Sequence, residues 1–122
     1  TPHPGEARTL LGEDITDRFL ALEKLHSRYG GVWVLKGAGT LVGPNPTYVN
    51  QFADSILATA GSGDILAGLI GGLTAQRQEN PEIYGVWLHG KAAEHLKNNG
   101  QSTLLATDLL PAVSKVMRVV EP

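Results

Sequence analysis

The apolar positions of the chain recur mostly at helical spacing, which predicts a helix-rich domain with a small sheet. In the first third of the sequence, this spacing predicts a short helix over residues 6–11 that ends at Gly12. It predicts a second helix over residues 17–29, capped by Thr16 and ended by a glycine pair. We expect that second helix to place four side chains on one face: Phe19, Leu22, Leu25 and Tyr29.

The middle of the chain carries the strand patterns. Residues 32–35 form a continuous apolar run between glycines and a lysine, which predicts a buried strand that is parallel rather than half-exposed. Residues 36–40 are predicted to form a tight turn, followed by a short strand at 41–42. A loop is predicted over residues 44–51, with a brief strand at 47–49. Only the first run is a clear strand pattern, so the sheet looks incomplete for an α/β domain.

The second half of the chain is predicted to be helical. A helix over residues 64–76 has an apolar face made of Ile65, Leu66, Leu69, Ile70 and Leu73. Three glycines lie inside this helix: Gly68, Gly71 and Gly72. Each should cost about 1 kcal/mol relative to alanine, which predicts close packing against another backbone or a ligand. Asn80 starts a helix that runs to about Lys97, and Thr107 caps a last helix that ends at Val119.

The segment Gly61-Ser62-Gly63-Asp64 opens the helix over residues 64–76 and is the strongest candidate for chemistry. Amide N–H groups at a helix start favour anions, and glycines let a phosphate approach the backbone. Asp64 would repel that phosphate, so a carboxylate is unexpected at this position. Its presence is explained if Asp64 handles a proton or a hydroxyl beside the phosphate. A glycine-rich loop before a core helix, with Asp64 stabilised by the helix dipole, explains the same residues without a ligand. The segment is neither a Walker A loop nor a dinucleotide fingerprint.

A second glycine-rich segment, Lys36-Gly37-Ala38-Gly39-Thr40, follows the predicted buried strand. One interpretation is a hairpin turn with Lys36 as a charge at the end of the strand. The other places Gly37 and Gly39 against a nucleotide, with Lys36 or Thr40 donating to a phosphate or a sugar. Two such loops in a small chain favour a shared anionic ligand.

The histidines are the remaining candidate groups. His3 stands between two prolines, in a segment predicted to be an irregular turn that aims its imidazole. An exposed turn histidine without a function is the alternative. His89 is predicted to be packed or half-buried on a helix, whereas His26 and His95 are predicted to be exposed. No spacing of histidine and acidic residues matches a protein metal cage.

Composition narrows the function classes. The 122 residues suffice for one domain, and a net charge of -2 offers no broad basic surface to nucleic acid or anionic lipid. No stretch is long and apolar enough to span a bilayer, and no signal peptide opens the chain. The absence of cysteine excludes disulfides and thiolate chemistry and fits a reducing compartment such as the cytoplasm. The chain begins on a very specific turn, so we expect a fragment or a processed product.

Four motifs in order, residues 1–6, 35–40, 58–68 and 89–90, resemble the ADP-dependent NAD(P)H-hydrate dehydratases. These are bacterial and archaeal proteins of the ribokinase-like superfamily. The match spans nearly the whole chain but only the C-terminal part of that family's domain. The resemblance implies a three-layer α/β/α fold, of which residues 1–122 form the C-terminal portion with few strands and several helices.

The resemblance also implies a reaction, in which ADP phosphorylates the hydroxyl of hydrated NADH or NADPH. Phosphate then leaves, and the products are the reduced dinucleotide, AMP and inorganic phosphate. Asp64 is expected to be the general base, with the amides of residues 61–64 steadying the phosphoryl group. Residues 36–40 and Gly63 are expected to hold the adenine nucleotide, and His3 matches a position that contacts the hydrated dinucleotide. Magnesium is expected, without an assigned ligand, and so is a homo-oligomer or association with the missing N-terminal segment.

Two other functions remain open at this point. A small-molecule kinase of the same superfamily, acting on hydroxyethylthiazole or a sugar, would share the glycine-aspartate loop but release a stable phosphoester. An inactive nucleotide-binding fragment is the second alternative. The chain departs from the family pattern at Ala60, where glycine is usual, and at residues 53–56, where an Asn-Pro-Gly-like run is usual.

Overall fold

The computed structural model describes residues 1–52 and 55–120, so residues 53 and 54 of the unusual run at 53–56 lie outside it. The chain divides into two compact units, Thr1–Ala53 and Asp54–Pro122. The described elements are, in order, α1 (Pro4–Leu11), α2 (Arg18–Tyr29), β1 (Trp33–Leu35), β2 (Leu41–Gly43), β3 (Tyr48–Val49), α3 (Ser62–Ala75), α4 (Pro81–Asn98) and α5 (Leu109–Val120), with 3₁₀ turns at Ser55–Leu57 and Ala106–Asp108.

The first unit packs α1 and α2 with a small sheet whose strand order is β1-β2-β3. Both strand pairs are antiparallel, with Trp33 opposite Gly43 and Leu41 opposite Val49. The prediction of a parallel strand at residues 32–35 is therefore wrong within this sheet, because an apolar run reports burial and not direction. The core of the unit consists of Ala7, Leu11, Ala21, Leu22, Leu25, Leu35 and Leu41.

The start of α2 differs by one residue from its prediction. The cap is Asp17 rather than Thr16, and its carboxylate accepts the N–H groups of Phe19 and Leu20 at 3.0 and 3.1 Å. Two core positions on this helix are confirmed, since Leu22 and Leu25 are buried. The other two side chains predicted for this face, Phe19 and Tyr29, are 54% and 52% exposed.

The second unit packs α4 against both α3 and α5. Its buried apolar side chains include Leu66, Leu73, Val86, Leu88, Ala92, Leu109, Ala112 and Val113. The predicted helix start at Asn80 is confirmed, since Asn80 directly precedes the first residue of α4. Pro111 lies in the first turn of α5. Thr107 is not a helix cap; instead the Asp108 carboxylate accepts the N–H of Leu105 at 2.8 Å. Across the described helices, none combines the length and the apolar character that crossing a membrane requires.

Of the two packing partners predicted for the glycines of α3, the structure contradicts the first, since no other backbone packs against them among the described residues. A Cβ atom at Gly68, Gly71 or Gly72 would meet nothing within 4 Å in the described part of the chain. The close approach occurs instead at Gly85 of α4, where a Cβ atom would lie 2.6 Å from Cγ1 of Ile70. The tight contact between α3 and α4 is thus made by a glycine on the partner helix.

Candidate functional site

The opening segment of the chain is a helix cap and not the irregular turn predicted. Nδ1 of His3 accepts the N–H of Glu6 at 3.1 Å, and the Glu6 carboxylate accepts the N–H of His3 at 3.0 Å. This reciprocal pair is a capping box that starts α1 at Pro4. A Cβ atom at Gly5 would lie 3.0 Å from the imidazole, so glycine leaves room for the ring. Because Nδ1 accepts a hydrogen bond, the neutral ring carries its proton on Nε2.

The capping box lies beside the end of β1, so two of the predicted site residues are brought together within the first unit. The Lys36 N–H donates to the carbonyl oxygen of Pro2 at 2.9 Å, next to His3. The pKa of Glu6 is held below its ordinary value, chiefly by the hydrogen bond from the His3 backbone and to a smaller extent by the positive charge of Lys36. His3, Glu6 and Lys36 therefore form one polar surface, with the His3 side chain largely exposed.

Residues 36–40 form the connection between β1 and β2, so the hairpin interpretation of this segment is confirmed. The Thr40 hydroxyl donates to the Gly37 carbonyl oxygen at 3.2 Å, and the Thr40 carbonyl accepts the Asn50 N–H at 2.9 Å. Gly37 and Gly39 have φ values of 151° and 69°, a region that favours glycine. A hairpin turn does not exclude nucleotide binding, since such turns also expose backbone N–H groups.

Arg18, which sequence reasoning missed, lies beneath this turn. Its guanidinium donates to three carbonyl groups of the connection, those of Leu35, Ala38 and Gly39, at 3.2, 2.9 and 3.0 Å. These partners lie 17 to 21 positions away along the chain. Local spacing cannot predict such contacts. The only hint in the sequence is an arginine in the first turn of a helix, where the dipole disfavours a cation.

The start of α3 has the geometry of an anion site. Gly61 precedes the helix with φ 86°, and its carbonyl accepts the Ile65 N–H at 3.1 Å. No side chain of the described residues caps this helix end. The N–H groups of Gly63 and Asp64 belong to the first turn, which has no intrahelical acceptor. Asp64 is exposed there, in the position that the sequence predicted.

Ser62 points away from this helix end and into the second unit. It is buried, with its hydroxyl 3.2 Å from Nε2 of His89 on α4. Nε2 of His89 also lies 3.1 Å from the Ser62 carbonyl oxygen, which can only accept, so Nε2 carries the proton. The Ser62 N–H donates to the Thr59 carbonyl at 3.2 Å. Burial of His89 was predicted, whereas its contact with Ser62 was not, because it joins two helices.

The segment that leads into α3 is also held from the side of Leu104–Ala106. The Thr59 hydroxyl donates to the Leu104 carbonyl at 3.2 Å. A Cβ atom at Gly61 would lie 3.2 Å from Cβ of Ala106, which is a tight contact, and the φ of 86° also favours glycine there. The helix start is therefore fixed by backbone and side-chain contacts within the second unit.

These features define the chemistry that each part can perform. The α3 start offers N–H donors to an anion and a carboxylate beside them, and the β1–β2 turn offers backbone groups and the Lys36 ammonium. Among residues 1–52 and 55–120, no three histidine, cysteine or acidic side chains converge on a metal position. Magnesium does not need such a cage, since it is often held by one or two carboxylates together with substrate phosphates.

Comparison with known proteins gives a consistent result. The family model described as NAD(P)H-hydrate dehydratase matches residues 1–115. The chain is 45% identical to the bifunctional NAD(P)H-hydrate repair enzyme Nnr of Vibrio cholerae over 96% of its length. It is 44% identical to the ADP-dependent (S)-NAD(P)H-hydrate dehydratase of Neisseria meningitidis over 92% of its length.

Solved structures agree with these matches. The ADP/ATP-dependent NAD(P)H-hydrate dehydratase of Bacillus subtilis, co-crystallised with ATP and Mg²⁺ and soaked with CoA, superposes on 98% of the chain with a TM-score of 0.89 and 29% identity. A ribokinase-like superfamily protein of Enterococcus faecalis matches with a TM-score of 0.84 and 27% identity over 97% of the chain. The chain spans 25% of the Vibrio relative, 41% of the Neisseria relative, 48% of the Bacillus structure and 43% of the Enterococcus structure.

Proposed function

The chain belongs to the NAD(P)H-hydrate dehydratase family, and we propose that it carries the nucleotide and base portion of an ADP-dependent enzyme that repairs hydrated NADH and NADPH. Its fold is the helix-rich part of a ribokinase-like α/β domain, as the sequence resemblance implied. Residues 1–122 form the C-terminal portion of that single domain. The observation that carries the proposal is the uncapped start of α3, with Asp64 exposed in its first turn.

The reaction proceeds in two steps. The hydroxyl oxygen of the hydrated nicotinamide ring attacks the β-phosphorus of ADP, the bond to the α-phosphate bridge oxygen breaks, and AMP leaves. Asp64 accepts the hydroxyl proton as this bond forms. The carbon–oxygen bond of the phosphorylated ring then breaks, inorganic phosphate leaves, and loss of a ring proton restores the reduced nicotinamide.

The start of α3 supplies electrostatic stabilisation for the first step. The N–H groups of Gly61, Gly63 and Asp64 face the charge that spreads over the phosphoryl oxygens during transfer. Ser62 contributes differently, because its hydroxyl is buried against His89 and its N–H is bonded to Thr59. Its role is to hold the helix start in place.

The first unit supplies binding groups. Residues 36–40 hold the adenine nucleotide through backbone groups and the Lys36 ammonium, and His3 contacts the hydrated dinucleotide from its capped position beside Lys36. The nucleotide phosphates would hold magnesium, without an assigned protein ligand, and the ion would neutralise charge on those phosphates. The Bacillus protein was co-crystallised with ATP and Mg²⁺, which supports this assignment.

The proposed location of the enzyme is the cytoplasm, and a sequence without cysteine is compatible with that reducing compartment. Its working form is a homo-oligomer or an association of this portion with the N-terminal segment of the domain.

Replacement of Asp64 tests the proposal. In the full-length protein, Asp64→Asn keeps the size and polarity of the side chain but cannot accept the proton. We expect turnover of hydrated NADH with ADP to fall about 100- to 10,000-fold, measured by the absorbance of reduced nicotinamide, with ADP affinity largely unchanged. Asp14→Asn is the matched control, since that carboxylate is exposed and pairs with Arg8 at 2.9 Å in the first unit.

The other outcomes separate the alternatives. Loss of ADP binding with retained turnover in Asp64→Asn would refute its role as base. Phosphorylation of an alcohol substrate, without recovery of NADH from the hydrate, would identify a small-molecule kinase. Nucleotide binding without either reaction would identify an inactive binding protein.

A further inference from the structure

The structure places a fixed positive charge directly beneath the turn at residues 36–40. Arg18 is the first residue of α2, and the Asp17 cap fixes the helix start from which it extends. Its side chain reaches three carbonyl groups on both sides of the turn. The planar guanidinium suits this task, because its donors form a rigid fork that a lysine ammonium does not reproduce.

The turn is shaped around this guanidinium. Gly37 has φ 151°, and a Cβ atom there would lie 3.2 Å from Nη2 and 3.4 Å from Cζ of Arg18. The backbone of Gly37 therefore rests on the guanidinium, and a side chain at this position would push the two apart. Within residues 1–52 and 55–120, no carboxylate forms an ion pair with Arg18. Its charge is compensated by carbonyl dipoles alone, and the buried Nε is without a hydrogen-bond partner there.

We propose that Arg18 is a positioning residue for the nucleotide: it holds the Lys36–Thr40 turn in the shape that binds the nucleotide. This inference rests on the proposed function, in which that turn holds ADP. Carbonyl groups that bond to Arg18 point toward the helix, so N–H groups on the other side of the turn are left to face a ligand. Loss of Arg18 frees three carbonyls and lets the turn relax.

A matched control lies ten residues along the same helix. Arg28 also donates from its guanidinium to carbonyl oxygens, those of Leu10 and Leu11 at 3.1 and 3.2 Å. Those acceptors belong to the end of α1 and not to the turn. Arg28→Ala therefore removes guanidinium–carbonyl hydrogen bonds of the same kind as those of Arg18. It leaves the Lys36–Thr40 turn unchanged.

The experiment compares Arg18→Ala, Arg18→Lys and Arg28→Ala in the full-length protein, by steady-state kinetics with hydrated NADH and ADP and by calorimetric ADP binding. We expect Arg18→Ala to raise the KM and Kd for ADP about tenfold or more, an effect of about 1.4 kcal/mol per factor of ten. The kcat and the KM for the hydrate should change less than twofold. Arg18→Lys keeps the charge and should fall between wild type and Arg18→Ala, whereas Arg28→Ala should leave all ADP constants unchanged.

The results that would overturn the role of Arg18 differ from the result that would overturn the proposed function. Equal effects of Arg18→Ala and Arg28→Ala on ADP affinity would overturn the positioning role, as would a change confined to kcat or to the KM of the hydrate. If Arg18→Ala does not fold, the ADP affinity of Arg18→Lys is compared with that of Arg28→Ala instead. Equal effects of these two variants would likewise overturn the positioning role. If wild type fails to convert the hydrate, the proposed function fails, but the ADP binding measurements still test Arg18.

Discussion

At the residue scale, the motif Pro2-His3-Pro4-Gly5-Glu6 has a structural reason at each position. Pro2 accepts a hydrogen bond from Lys36, His3 and Glu6 cap each other, Pro4 begins α1, and Gly5 makes room for the imidazole. The sequence predicted the unusual restraint on His3 but assigned it to an irregular turn. The histidine imidazole is an uncommon cap, so the usual list of capping residues did not identify it.

The capping box predicts a pH dependence. Since the folded-state pKa of Glu6 is lowered, chiefly by the His3 N–H, the stabilisation it provides is fully present above the ordinary glutamate pKa. It is lost as the pH falls through the folded pKa, because a protonated carboxyl is a poorer acceptor. NMR titration should give a Glu6 pKa below that of an unstructured peptide, with the His3 amide resonance following the same curve.

The control for this titration is Glu6→Gln, which keeps an acceptor oxygen but does not titrate. The His3 amide resonance should lose its acidic transition in that variant. A Glu6 pKa at or above the peptide value would contradict the assigned geometry.

At the scale of elements, apolar periodicity and end signals located the described helices α1 to α5 with errors of no more than two residues at each end. It could not locate the contacts between elements. Gly68, Gly71 and Gly72 were expected to pack closely, yet the close contact falls on Gly85 of α4. The sequence of a helix shows where its glycines lie. Whether a neighbouring helix packs closely against a given glycine depends on the tertiary structure.

This contact predicts opposite effects for two glycine-to-alanine substitutions. Gly85→Ala should destabilise the chain by about 1–3 kcal/mol, because its Cβ would lie 2.6 Å from Cγ1 of Ile70. Gly71→Ala is the control and should be neutral or stabilise by up to about 1 kcal/mol, through helix propensity alone. Urea unfolding of the 122-residue chain measures both.

A double-mutant cycle identifies the cause. Ile70→Ala removes the atom that the new Cβ would meet, so Gly85→Ala should cost less in that background. Additive effects of the two substitutions would show that the contact is not responsible.

At the scale of the whole molecule, the family and the fold class could be predicted because four ordered motifs span nearly the whole chain. The site residues that the sequence suggested, the glycines, Lys36 and Asp64, carry local signals, and their roles stay predictions. Arg18 and the Ser62–His89 pair were missed because they act across 17 to 27 positions of sequence. Long-range contacts of this kind have no local period or spacing.

The limited share of its relatives that the chain covers leads to a prediction about activity. The chain aligns with 48% of the Bacillus dehydratase structure, so about half of that structure has no counterpart in these residues. We expect the 122-residue chain alone to show no turnover of hydrated NADH with ADP, while the full-length protein converts it. The assay again follows the absorbance of reduced nicotinamide.

The isolated chain must be shown to be folded for this comparison to count, by a cooperative thermal transition in circular dichroism. A folded 122-residue chain that turns over the hydrate at the rate of the full-length protein would show that these residues hold a complete active site.

The segment before α3 is tied down on three sides: Thr59 to Leu104, Gly61 against Ala106, and Ser62 to His89. A loop restrained in this way has already lost most of its conformational entropy before an anion arrives. In the proposed reaction, the phosphoryl group would then meet N–H dipoles that are already oriented. The free energy that orients them would come from the packing of the helices of the second unit, and none would be needed during the transfer itself.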